Sequence, residues 1–116
     1  MLKVLIDQDF DHDILRGIVR RIPLLDFATA FELGLSKTPD PELLRQASIQ
    51  KRILLTHDRK TMPRHVADLI NAGEKIFGVF IVPRRMPIGQ AIDELEIMIL
   101  CSKPSEWENL IKQLPL

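Results

Sequence analysis

A chain of 116 residues is long enough for one domain with a real core and too short for two. Sixteen basic and sixteen acidic residues cancel, which excludes a strong global field for nucleic acid or membrane and favours association, as a homodimer or with a partner. With no Tyr and one Trp the composition argues against an aromatic platform for single strands, and the one cysteine, Cys101, excludes an internal disulfide or a Cys-built zinc site.

No apolar run approaches a membrane span, and the first residues lack the apolar core and cleavage site of a signal peptide, so the expected location is the cytoplasm. Residues 2–6 are a short apolar run read as a buried strand, and it stops at Asp7. Asp11 or Asp13 caps a helix whose apolar face is Ile14, Leu15, Ile18 and Val19, closed by Pro23. Residues 24–29 are a second strand, and residues 34–40 a loop by their Gly, Ser and Pro content. Asp40 as N-cap and Pro41 at the first helical position start a second helix, which buries Leu43, Leu44, Ala47 and Ile49.

Residues 53–56 are a third strand running into His57 and Asp58. A helix over 63–71 ends ahead of Gly73. Residues 76–82 are continuously apolar rather than alternating, as in a strand covered on both faces. A helix over 88–100 follows, with Cys101 assigned to its apolar face and to the core. A last helix over 105–114 has Ser105 and Glu108 in capping-box register and Trp107 packing it onto the domain. Strand alternating with helix predicts a single α/β domain over residues 1–116, with a mainly parallel sheet of about four strands and helices on both faces.

A buried strand that stops at a carboxylate sets that group on the sheet's carboxyl rim, where α/β proteins place ligands. Asp7 and Asp58 both stand there, and Asp40 opens the helix leading into the strand that carries Asp58. Asp9 and Glu42 are further acids of this kind. Carboxylates brought together repel, so their joint placement points to a hard cation, Mg²⁺ or Mn²⁺. Taken singly, each acid reads equally well as a solvated loop residue, and capping alone explains Asp40. Arg59, Lys60, Arg64 and His65 follow Asp58, while Arg84 and Arg85 follow the fourth strand, forming a basic collar suited to a phosphate backbone. Thr56 reads either as a plain strand-end residue or as a group that positions a water or a carboxylate. His57 reads as a support or general base for Asp58, although strand alternation points the two to opposite faces.

The motifs VLIDQDF at 4–10, DPELLRQA at 40–47 and RILLTHDRKTMP at 52–63 resemble the compact PIN-like proteins of bacteria, short chains related to the VapC-type toxin nucleases. GVFIVPRRMPIGQAI at 78–92 and SEWEN at 105–109 look like one subgroup, so the likeness covers nearly the whole chain. It implies a three-layer α/β/α PIN-like fold, RNA as substrate, Mg²⁺ or Mn²⁺ as cofactor and a small antitoxin protein as partner. Carried over by position, Asp7, Asp40 and Asp58 match the catalytic acids that hold the metal, with Asp9 as a supplementary carboxylate. Arg59, Arg64 and Arg84 would steady the RNA. The chain departs at Gln8, where many relatives carry Glu, and at Lys60, where many carry an acid. Fewer acids mean weaker metal binding, which leaves a catalytically weak regulatory binder as the alternative. A response-regulator receiver is a third reading, from Asp58 followed by Met62-Pro63 and from Lys103-Pro104; against it, no convincing strand precedes Lys103.

Overall fold

Three strands have no residue that faces water. β1 (Val4–Ile6), β3 (Ile53–Thr56) and β4 (Val79–Ile81) are buried along their whole length, so both faces of their sheet require cover. The computed structural model, which describes residues 1–116, supplies it with two pairs of helices. α1 (His12–Arg21) and α4 (Ile88–Cys101) lie over one face, against Val4, Ile6, Ile53, Leu55 and Phe80. α2 (Asp40–Ile49) and α3 (Met62–Asn71) lie over the other, against Leu5, Leu54, Val79 and Ile81. Each such Leu, Ile or Phe contributes roughly 1.5–3 kcal/mol by leaving water.

The sheet has five strands, all parallel, in the order β2-β1-β3-β4-β5, with β2 at Phe27–Thr29 and β5 at Ile111–Gln113. This is a three-layer α/β/α fold. β2 is added on one side of β1 and β3 on the other, so the order of addition reverses between β1 and β3. At such a switch point the loops leaving the carboxyl ends diverge and open a crevice.

Several expectations need correction. The sheet has five strands rather than four, because residues 105–114 are not a helix. Pro104–Glu106 is one 3₁₀ turn, and β5 then pairs with β4 through Val79 and Ile111. The capping box forms two residues earlier than expected, with Lys103 N–H donating to Glu106. Asp40 is the first residue of α2, and Pro39 occupies the cap with no side-chain bond, so capping does not account for Asp40. Ile49 is exposed, and so is Cys101. α4 is apolar on most sides, so its periodicity could not say which side was inward. No helix is long and apolar enough to cross a membrane.

Gly78 enters β4 with φ +136°, and a Cβ there would lie 2.7 Å from Ile53 Cδ1 and 3.0 Å from the Trp107 carbonyl oxygen. Gly78→Ala is therefore expected to lower stability by about 1–3 kcal/mol, read as a fall in the urea midpoint at unchanged slope.

Candidate acidic site on the carboxyl rim

The site begins with the register of β1 on β3, which pairs Ile6 with Leu55. One residue further on, Asp7 N–H donates to the Leu55 carbonyl at 3.1 Å, so Asp7 arrives beside Thr56. Thr56 is the one fully buried polar residue in the protein. Its hydroxyl donates to Asp7 Oδ2 at 2.8 Å and accepts the Asp58 N–H at 3.1 Å. One side chain thus joins a carboxylate from β1 to the turn that carries a carboxylate from β3. Of its two sequence readings, positioning a carboxylate is the one the geometry supports.

Asp58 closes its own turn, accepting the N–H groups of Lys60 at 3.0 Å and Thr61 at 2.9 Å and the Thr61 hydroxyl. Burial opposes its ionisation, but the hydrogen bonds from Thr61, Lys60 and Met62 outweigh it and hold Asp58 below the usual carboxylate range. Asp40 goes the other way. Burial, then the charges of Asp7 and Asp58, push it above that range, with His65 partly offsetting them. The His65 Nε2 lies 3.8 Å from Asp40 Oδ2. Burial first, and the charges of Asp7 and Asp58 second, thus disfavour the ionised form of Asp40.

Asp9, an exposed residue of the β1–α1 loop, joins Asp7 and Asp58, whereas Asp40 does not line their cleft. With Asp7, Thr56, Asp58 and Arg84, Asp9 lines a cleft of about 110 Å³. Glu42 does not join, since its carboxylate goes to Arg45 and Gln46. Beside the acids lies a larger cleft of about 320 Å³, lined by Arg59, Lys60, Arg84 and Arg85 together with Asp58. Lys60, which stands where an acid was expected from the resemblance, adds its charge to this basic cleft. Arg84 also donates to the Asp9 carbonyl at 3.4 Å. Arg64 is exposed in the first turn of α3 and lines neither cleft, so the structure does not bring it to the acids.

His57 is occupied elsewhere. Its Nε2 accepts the Asp11 N–H at 3.0 Å, which puts the ring proton on Nδ1, where it is donated to the Val82 carbonyl at 2.7 Å. The ring stacks on Phe10 with centroids 4.6 Å apart. With both nitrogens committed, His57 is no general base. It ties the acidic loop to the end of β4, across 46 and 25 residues of sequence, a span no local pattern reveals. Phe31 was also missed: it stands behind β2, 78% exposed, at the other flank of Asp7.

The donors fit a hard cation. All are carboxylate oxygens, and Mg²⁺ is commonly held by one or two of them together with waters. The negative charge of Asp7 and Asp58, which adds to burial in raising Asp40, is what a cation would relieve. As the side chains stand, no three of His, Cys, Asp or Glu form a ready ligand set. Compared with family models, characterised proteins and solved structures, the chain matches none.

Proposed function

We propose that the protein is a Mg²⁺- or Mn²⁺-dependent endoribonuclease of the PIN-like type. The observation that carries this reading is the Thr56 hydroxyl joining Asp7 at the end of β1 to the Asp58 turn at the end of β3, at the β1/β3 switch point and next to a cleft of four cations. An acidic centre beside a basic cleft suits a cation and a phosphodiester together. The role of toxin in a toxin–antitoxin pair, with a small protein partner and a cytoplasmic location, extends the resemblance of the motifs.

In this mechanism Asp7 and Asp58 would hold the ion, with Asp9 and Asp40 at its margin. When bound, the ion supplies a nucleophilic hydroxide at neutral pH and positive charge opposite the reacting phosphate. Thr56 fixes the Asp7 carboxylate through its hydroxyl. Arg59 and Arg84 neutralise non-bridging phosphate oxygens.

The test is a titration with Mn²⁺ followed by RNA cleavage, wild type against Asp58→Asn. Cleavage that rises with Mn²⁺ in the wild type and vanishes in the variant is expected. Equal activity in both, with no response to metal, would sink the reading.

A second reading, a binder that keeps the fold without the turnover, is favoured by one observation: the Asp58 oxygens are engaged by their own turn. Gln8 and Lys60 point the same way. It predicts a stable complex with a small protein and an inert RNA assay. The receiver reading draws no such support. Lys103 precedes β5 and follows α4, at the amino edge of the sheet, whereas Asp58 is on the carboxyl rim.

A further inference from the structure

We infer that the cleft on the β2 side of Asp7 is a nucleobase subsite, and that the substrate is a single strand with one base stacked on Phe31. This rests on the phosphodiester reading of the acidic centre and deepens it.

The strand order arranges the rim. Reading across β2, β1, β3 and β4 gives Phe31, then Asp7, then Asp58 with Arg59, then Arg84. Neighbouring strands are about 4.8 Å apart, so aromatic ring, acids and cations lie in line over roughly 15 Å. That matches a short length of single-stranded backbone, with a phosphate at the acids and a base to one side.

A lone exposed ring needs no explanation. Phe31 is singled out by the cleft it closes, about 290 Å³, which has Phe10 and Leu15 as apolar walls and Gln8, Thr29 and Glu32 as polar ones. The cleft shares Asp7 with the acidic centre. A nucleobase has this same division, with flat faces that stack and an edge that forms hydrogen bonds. Glu32 is preset for the edge: its Oε1 accepts the Thr29 hydroxyl at 2.9 Å and its N–H donates back at 3.0 Å, while Oε2 has no partner. A carboxylate oxygen accepts from an exocyclic amine, and the Gln8 amide can both donate and accept. Gln8, which thins the acidic centre, thereby gains a use at the base. The continuity of this cleft with the acidic centre through Asp7 favours a base of the same strand as the occupant.

The geometry also selects the strandedness. A base in a duplex is covered on both faces and paired at its edge, so only an unstacked base can enter. Phe31 is the one exposed phenyl ring of the cleft, and one ring takes one base.

The probe is a single-stranded RNA of about 12 nucleotides, within the roughly 4–16 that such grooves accommodate. Because Phe31 is 78% exposed, its variants should fold as the wild type does. Phe31→Ala is expected to raise KM for cleavage about 10-fold with little change in kcat, the loss of one stacked base. In Phe31→Trp the added tryptophan emission is expected to be quenched by the single strand and not by its duplex. Unchanged KM together with absent quenching overturns the subsite, and the nuclease reading then stands if cleavage persists. Quenching by the single strand with no cleavage supports the subsite and removes the nuclease reading. Equal quenching by the duplex overturns it, as does an effect of Phe31→Ala confined to the mass of the protein in solution, which would mark a protein contact.

Discussion

Asp40→Asn and Asp58→Asn are expected to shift stability in opposite directions while both remove metal-dependent cleavage. The folded protein holds the Asp40 carboxyl above its ordinary value of 3.8. Between that value and the raised one, the native state binds more protons than the unfolded chain, so stability falls as pH rises through the window. Above the window the ionised Asp40 stays pressed against Asp7 and Asp58. Asparagine removes that charge and should add about 0.5 kcal/mol at neutral pH, a small gain because the half-buried group is screened by solvent. Below pH 3.8 the difference should disappear, since both states are then protonated. Asp58 lies below its ordinary value, so its contribution is present above 3.8 and is lost as pH falls through the depressed one. Asparagine there keeps an acceptor and loses the charge, costing about 0.5–1 kcal/mol at neutral pH. Each change also deletes a carboxylate from the proposed metal site, for a drop in cleavage of roughly 100-fold or more. Urea midpoints at neutral and acidic pH, alongside the RNA assay, separate the two effects. A destabilised Asp40→Asn at neutral pH would mean that the contact with His65 outweighs burial and the charges of Asp7 and Asp58.

Thr56→Val should cost more stability than either. The shapes match, so the change isolates the hydroxyl. Without it Asp7 loses a donor and the Asp58 N–H loses its acceptor in a part-buried setting. Two groups at about 1–3 kcal/mol each give a loss of roughly 2–6 kcal/mol. All the acids remain, yet Mn²⁺ binding should weaken about 10–100-fold, as when an outer hydrogen bond to a ligand is removed. Thr56→Ser restores the hydroxyl and should restore both properties. Wild-type Mn²⁺ affinity in Thr56→Val would show that the hydroxyl does not orient Asp7.

Much of this molecule is written locally in its residues. β3 matches the expected residues 53–56, since a run of four buried residues meeting His57 and Asp58 has one reading. Asp7 and Asp58 fall where strand ends put them, and Arg59 and Lys60 share a cleft with Arg84 and Arg85, while Arg64 and His65 stand outside it. What was hidden is what depends on partners far along the chain. β5 is three residues long, and its pairing with Val79–Ile81 outweighs the helical tendency of the segment around Trp107. The His57 tie needs Asp11 and Val82 at once, so its two committed nitrogens cannot be deduced from its neighbour Asp58. Asp40 was misplaced by one helical position, because the Asp-Pro pair suits the cap and the first turn alike.

The place of β1 inside the sheet has a bearing on when activity can begin. Asp7 is made early, but Thr56, its partner across the sheet, follows 49 residues later, and Arg84 later still. Until β3 settles against the free edge of β1, the acids are scattered along a chain with no cleft between them. Parallel pairings over such separations form late in folding. A nascent chain would therefore hold no assembled acidic centre until β3 is in place. Under the nuclease reading, the delay before the sheet closes is a grace period set by topology, and in the cell it is the interval in which a partner could engage the chain ahead of its first cut.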